Sequence, residues 1–177
     1  MKGGKKRRRF ERKYLPEFVY GGMDGVITTF AVVSGVVGAT LSPAIILILG
    51  FANLFADGFS MSLSDYMSVK SQNELSRKLG KSASRTAIAT FLSFVLMGLI
   101  PLLSFIIASA TNSDYFIRNQ FWLAIIFTGA ALLIIGWLKG IVTEKHRLKS
   151  AIQTFVLGGI AAFLAFVTGK YISILLR

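Results

Sequence analysis

Thr86-Ala-Ile-Ala-Thr-Phe-Leu-Ser-Phe-Val-Leu-Met-Gly-Leu-Ile-Pro-Leu-Leu-Ser-Phe-Ile-Ile-Ala-Ser-Ala-Thr111 runs for 26 residues without a charged side chain. A helix needs roughly 20 such residues to cross the hydrocarbon core of a bilayer. Residues 119–138 and 150–169 repeat the pattern, each uncharged over 20 positions. Two further runs are interrupted only by acids: 18–41 holds Asp24 alone and 44–64 holds Asp57 alone. The fold class is therefore an all-α membrane protein with five transmembrane helices. They are predicted at 18–41, 43–68, 85–110, 119–141 and 149–176, within a transmembrane domain spanning 18–177. Residues 1–17 form a basic segment ahead of it.

The rest of the composition agrees. Of 177 residues, 54% are hydrophobic and 16% charged, where a soluble domain carries about 25% charged residues. An ordinary soluble globule and a disordered chain are both excluded. The count of Cys is 0, which removes disulfide scaffolds, iron–sulfur clusters and thiol chemistry. A single histidine, His146, leaves no multi-histidine metal site within one protomer. No nucleophile–base pair is visible, so neither an enzyme nor a bound cofactor is expected.

The breaks between helices make local sense. Pro43, after Ser42, suits the first turn of the second helix. Thr111-Asn112-Ser113-Asp114 is a polar turn between the third and fourth, and residues 144–149 separate the fourth and fifth. Pro101 lies inside the third helix and is predicted to kink it. No internal repeat is visible and five is an odd number, which argues against an inverted-repeat transporter within one chain.

Orientation follows from Lys and Arg. Of 20 such residues, 8 lie in the first 17 positions. The second-to-third connection carries Lys70, Arg77, Lys78, Lys81 and Arg85, and the fourth-to-fifth region carries Lys139, Lys145, Arg147 and Lys149. The other side has Arg118 and Arg177, with Lys170 near a helix end. The positive-inside rule then places the N-terminus in the cytoplasm and the C-terminus outside. Trp122 and Trp137 fall near opposite ends of the fourth helix, where interface anchors belong. The net charge of +12 reads as topology plus attraction of the N-terminal segment to anionic lipid. Nucleic-acid binding would want aromatic or polar readers among the charges, and only Phe10 and Tyr14 qualify. The first apolar run is too long for a cleavable signal peptide. The chain is thus read as a multi-pass integral membrane protein.

The acids within the spans carry the functional information. A charge at the bilayer centre costs some 2.5–3.5 kcal/mol on insertion scales, so such residues mark ion pathways. Asp24 and Asp57 have no Lys or Arg in their own spans, and Asp65 lies near the inner end of the second helix. On that helix Asn53, Asp57, Met61 and Asp65 recur every four residues, a spacing that puts neighbours on one face. The stripe offers amide oxygen, carboxylate, thioether and carboxylate. On the first helix Asp24 and Thr28 form a similar pair, with Met23 beside them.

Depth is consistent with a shared site. Asp24 lies about 9 Å past the start of its span, and Asp57 lies about 9 Å from the same membrane edge on a helix running the other way. Carboxylate and amide oxygens suit hard divalent ions, and a thioether adds preference for softer ones, a mixture that Fe²⁺ tolerates better than Mg²⁺ or Ca²⁺. One protomer supplies few ligands, and two-fold symmetry would double them, so a homodimer is expected. Metal and protons would compete for the same carboxylates.

Each residue also has a plainer reading. Met61 taken alone reads as packing or lipid-facing, but its place between two acids on one face favours a ligand; Asp65 is either a ligand or a headgroup-region charge. Glu17 is either an entrance acid or an interfacial charge. Glu144 and His146 are read as solvated loop residues. Gly21 and Gly25, followed by Gly35 and Gly38, form a spacing that lets helices approach closely in lipid. So do Gly158, Gly159, Ala161, Ala162 and Ala165. The contact is either inside one protomer or at a dimer seam.

Two segments resemble the vacuolar iron transporter family, which includes nodulin-21-like proteins. One is Tyr20-Gly-Gly-Met-Asp-Gly-Val-Ile-Thr-Thr-Phe-Ala-Val-Val-Ser-Gly-Val-Val-Gly-Ala39. The other is Ile48-Leu-Gly-Phe-Ala-Asn-Leu-Phe-Ala-Asp-Gly-Phe-Ser-Met-Ser-Leu-Ser-Asp-Tyr66, continuing through Ser68-Val-Lys-Ser-Gln-Asn-Glu74. Thr154-Phe-Val-Leu-Gly-Gly-Ile-Ala-Ala162 is similar to the family's last helix, less distinctively. The resemblance implies a five-helix homodimer exporting Fe²⁺ from the cytoplasm by proton antiport; Mn²⁺ is the alternative ion. It implies a pathway along the dimer axis between the first two helices of each protomer. The family's helix-one acid matches Asp24 and its helix-two methionine matches Met61. Asn53 stands where plant-like members tend to have an acid, and Asp57 compensates as in the prokaryote-like branch. The expected location is accordingly a prokaryotic plasma membrane. Many members insert an acidic cytosolic metal-binding domain between the second and third helices. Here a short polar stretch, residues 72–84, with one acid, Glu74, connects them. The alternatives in other classes are a proton-coupled exporter of another small solute and a non-transporting membrane scaffold.

Overall fold

The computed structural model describes residues 2–75, 81–111 and 113–176, and side chains from residue 14 onward. Arg77, Lys78, Asn112 and Arg177 lie outside the described residues, as do the basic side chains ahead of Tyr14. The elements are α1 (Lys2–Gly38), α2 (Pro43–Leu75), α3 (Ala83–Gly98), a 3₁₀ turn (Ile100–Leu102), α4 (Leu103–Thr111), α5 (Asp114–Val142) and α6 (Arg147–Leu175). Five spans are long and apolar enough to cross a membrane: Tyr14–Gly38, Pro43–Leu75, Ala83–Thr111, Asp114–Val142 and Arg147–Leu175. The chain is a multi-pass, all-helical membrane protein.

Helix ends depart from the predicted bounds for local reasons. The basic segment, predicted to end at residue 17, is helix from Lys2 onward and runs through Pro16 into the first span. Lys and Arg are good helix formers, so charge ends the apolar run without ending the helix. The second helix continues past residue 68 to Leu75. Gln72 Nε2 donates to Ser68 Oγ at 3.1 Å, and Asn73 Nδ2 reaches the carbonyl of Lys81 at 2.8 Å. Pro101 interrupts the third span outright. Its missing N–H breaks the ladder, and the chain tightens into the 3₁₀ turn before α4 resumes.

The bundle is organised around α1, which packs against α2, α3, α5 and α6. In lipid no hydrophobic force draws apolar faces together, so helices associate through close packing of small residues. The uncharged third span follows this rule. Its inward face carries Thr86, Thr90, Ser93, Phe94 and Gly98, all buried, while Ile88, Leu92 and Leu96 point outward. Against it sit Gly21 and Gly25. A β-carbon on Gly21 would overlap Ser93 Oγ, and one on Gly25 would overlap the Phe94 backbone. Farther along, Gly38 meets the Phe166 backbone, and Gly35 and Gly169 meet backbone to backbone between α1 and α6. Within the protomer, then, Gly21, Gly25, Gly35 and Gly38 are contact points of α1. Gly158 packs on Leu132 and Ile27, but Gly159 has open space beside it. Larger apolar residues fill the remaining space, in one cluster around Leu54, Phe94 and Leu102 and another around Val26, Leu132 and Ile135.

One end of the bundle gathers the first-helix entry, the α2–α3 connection and the close of α5. Lys81 forms an ion pair with Glu17, and the Ser82 N–H donates to the Tyr14 hydroxyl at 3.3 Å. At the other end Ser173 Oγ donates to the carbonyl of Ala39 at 3.1 Å.

Two alanine substitutions on α6 test this packing. Gly169→Ala drives a methyl into the Gly35 backbone and should destabilise by about 1–3 kcal/mol, the usual cost of overpacking. Gly159→Ala meets open space and should be neutral or stabilising, because alanine favours helix over glycine by about 1 kcal/mol. Thermal unfolding of the detergent-solubilised proteins checks both. Equal melting temperatures for the two variants would show that the α1–α6 contact is not tight.

Candidate metal site between the first two helices

Asp24 sits half-buried on α1, and Thr28, one turn along, donates its hydroxyl to the Asp24 carbonyl at 2.9 Å. From α2, Asn53 Nδ2 approaches Thr28 Oγ1 at 3.5 Å. This contact sets the register between two antiparallel helices. One turn back along α1 from Thr28 is Asp24; one turn forward along α2 from Asn53 is Asp57. Both steps move about 6 Å in the same direction, so the two carboxylates come level. Asp57 is exposed on the protomer surface, inside a span long and apolar enough to cross a membrane.

The same register carries on toward the basic end. Met61 comes level with Tyr20, and Asp65 with Pro16. Met61 is partly buried and packs against the core cluster containing Leu54 and Phe94. Asp65 accepts a hydrogen bond from Thr90 Oγ1 of α3 at 2.5 Å. The four-residue stripe on α2 thus winds around the helix rather than facing one neighbour: Asn53 turns to α1, Asp57 to the protomer surface and Asp65 to α3. Each four-residue step overshoots one turn of 3.6 residues by about 40°, and three steps add up to a third of a revolution.

A separate cavity of about 360 Å³ opens at the basic end. Glu17, Met23, Asp65, Lys139 and Thr143 line it, with Pro16 and Tyr20. Glu17 is held by Lys81 through one carboxylate oxygen, and its Oε2 is buried without a hydrogen-bond partner. The structure therefore divides the sequence candidates into two groups. Asp24, Thr28, Asn53 and Asp57 stand together between α1 and α2. Glu17, Met23 and Asp65 share the cavity nearer the basic end. Met61 lies between the groups in register.

Three partners were not legible beforehand. Lys81 is distant in sequence from Glu17 and sits in what reads as a topogenic charge cluster. Thr90 is one hydroxyl in an uncharged span, with nothing local to tie it to Asp65. Lys139 reads as a topology residue at the end of α5. Among the described residues no three His, Cys, Asp or Glu side chains converge to hold a metal ion.

Comparison with known proteins bears on what this arrangement belongs to. The sequence profile described as the VIT family matches residues 15–82 and 76–170. A vacuolar iron transporter of Plasmodium berghei is 26% identical, with 90% of this chain and 82% of that protein aligned. Vacuolar iron transporter homolog 4 of Arabidopsis thaliana is 28% identical over 87% of this chain and 81% of its own length. Vacuolar iron transporter 1 of Eucalyptus grandis is 26% identical over 87% and 84%. The Plasmodium alignment runs over 224 positions and the Arabidopsis one over 167, against a chain of 177 residues. The Plasmodium protein thus carries inserted sequence that this chain lacks. With the profile covering nearly all five spans, including both helices that carry the acids, the chain belongs to the VIT family.

Proposed function

We propose that this protein is a divalent-metal transporter, not an enzyme, moving Fe²⁺, with Mn²⁺ as the alternative ion, out of the cytoplasm in exchange for protons. The observation that carries the reading is Asp57, a carboxylate exposed on the protomer surface within a span and level with half-buried Asp24. An intramembrane carboxylate facing lipid is costly. A second protomer related by a two-fold axis would cover it and bring Asp24, Asp57, Asn53 and Met61 into duplicate around one path. That supplies enough oxygen and thioether ligands to replace a hydration shell, where among the described residues of one protomer no three His, Cys, Asp or Glu side chains converge. The names of the aligned relatives support iron as the cargo.

The order of residues along the helices suggests the route. The cavity with Glu17, Met23 and Asp65 is the entrance on the basic side, which the positive-inside rule makes cytoplasmic. Met61 follows, then the Asp24–Asp57 level, then Asn53 and Thr28. Glu17 and Asp65 draw the cation in; Met61 favours softer ions. At the acid pair, metal arrival displaces protons from the carboxylates and metal departure lets them return. Both ions use the same oxygens, so exchange needs no separate proton site.

Asp24→Asn removes a ligand charge with little change in volume. Initial Fe²⁺ uptake into proteoliposomes should fall at least about tenfold, the equivalent of about 1.4 kcal/mol, while the melting temperature holds. Normal flux in the variant would remove Asp24 from the pathway.

The active species should be a dimer. Light scattering in mild detergent should give twice the 19.3 kDa chain mass once detergent is subtracted. A monomer with full transport on reconstitution would overturn the shared path.

Metal binding should weaken as pH is lowered, because protons compete for the carboxylates. In sealed vesicles Fe²⁺ movement should drive opposite proton movement, and an imposed pH gradient should accelerate the metal. The coupling should be lost in Asp57→Asn. Metal flux indifferent to the gradient would make the wild-type protein a channel or uniporter.

A further inference from the structure

A second built region lies away from the acids, where α5 hands over to α6. Gly136 packs against Ala151 and Ser150, and Gly140 against the backbone of Arg147, so the two helices converge at the connection. The link between them is a tight turn. Glu144 takes a left-handed φ of 54°, the Glu144 N–H reaches the Ile141 carbonyl, and the Lys145 N–H reaches back to the Gly140 carbonyl at 3.0 Å. This paired closure satisfies carbonyls at the end of α5. α6 then starts with His146 at its N-cap, whose side chain makes no capping bond.

The turn arranges Lys139, Lys145, Arg147 and Lys149 around one cavity of about 1180 Å³. Only Glu144 opposes them there, and no carboxylate lies within ion-pair distance of any of the four among the described residues. The amino end of α6 adds its own positive field. A second hollow of about 500 Å³, lined by Leu148 and Ile152, adjoins this one. His146, Lys149 and Gln153 line both. Leu148 and Ile152 are exposed on α6 beside the cationic cavity.

We infer that the α5–α6 corner is a binding site for an anionic phospholipid, its phosphate-bearing headgroup among Lys139, Lys145, Arg147 and Lys149 and an acyl chain along Leu148 and Ile152. Basic pockets between membrane helices on the cytoplasmic side take lipid headgroups of this charge. A free phosphate would use the cationic cavity and leave the apolar groove empty, so the pairing of the two favours an amphiphile. The site shares Lys139 with the cavity that holds Glu17 and Asp65, but Lys145, Arg147 and Lys149 lie outside that cavity, and the inference stands whether or not iron is the cargo.

The test uses the full-length protein in mild detergent, with binding read by native mass spectrometry and by thermal stabilisation. Phosphatidylglycerol should bind and raise the melting temperature, and phosphatidylcholine with the same chains should not. Each basic residue at an anionic surface contributes about fivefold to binding, so replacing Lys145, Arg147 and Lys149 together with Gln should weaken phosphatidylglycerol on the order of a hundredfold. Replacing three basic residues of the N-terminal segment, Lys5, Lys6 and Arg7, with Gln controls for general charge and should cost far less. Ile152→Ser should weaken phosphatidylglycerol without changing the response to glycerol 3-phosphate. Should the triple variant not fold, Arg147→Gln alone should still show the loss at about fivefold. Equal losses from the two triple variants would reduce the site to unspecific charge. Equal stabilisation by inorganic phosphate would make it a free-anion site. Either result overturns the proposal.

Discussion

The approach of α1 to its neighbours is the contact on which the rest of the structure depends. Lipid tails are as apolar as the side chains they surround, so no hydrophobic force draws these helices together. What holds helices together is contact between surfaces that fit, and the best fit is backbone on backbone. Gly21 and Gly25 bring α1 onto α3, and Gly35 and Gly38 bring it onto α6. The hydroxyl face of α3 follows from the same constraint: Thr86, Thr90 and Ser93 are small enough to lie in the seam, while the leucines of that helix are turned outward.

With α1 locked by these contacts, the position of its acid is determined. Asp24 lies between Met23 and Gly25, and Gly25 is pressed against α3. Its carboxylate cannot leave the α1–α2 side without breaking the glycine seam. α2 is less enclosed and presents an outward row of Ile48, Phe55, Phe59 and Met67. Its Asn53 contact with Thr28 fixes register rather than burying area. A central helix held by close backbone contacts thus stands beside a peripheral helix that carries polar residues at matched heights.

The basic end contains a different arrangement of charge. Glu17 is matched by Lys81, Asp65 by a hydroxyl of Thr90, and Lys139 stands between the cavity that holds those acids and the cationic corner at α5–α6. Charges that the sequence presents as one topogenic belt thus divide by location. Lys81 neutralises Glu17, while among the described residues those at the α5–α6 corner have no carboxylate within ion-pair distance.

The membrane class, the five spans and the candidate acids are legible along the chain. These depend on runs of uncharged residues and on isolated charges within them, which are local quantities. The sequence also placed Asp24 and Asp57 at one depth, because helical rise is constant and the register contact of Thr28 with Asn53 agrees with that count. Hydropathy does not reveal the continuity of the basic segment with α1, because Lys and Arg end the apolar run while favouring helix. Only the tertiary structure decided which glycines meet backbones and which face open space, since Gly158 and Gly159 are neighbours in sequence yet differ entirely in surroundings. It alone turned Asp65 toward α3, because the 40° drift of a four-residue repeat matters only once a neighbouring helix stands at a given angle. It alone joined Lys81 to Glu17 and Thr90 to Asp65, since those partners lie on separate helices and meet only when α1, α2 and α3 pack.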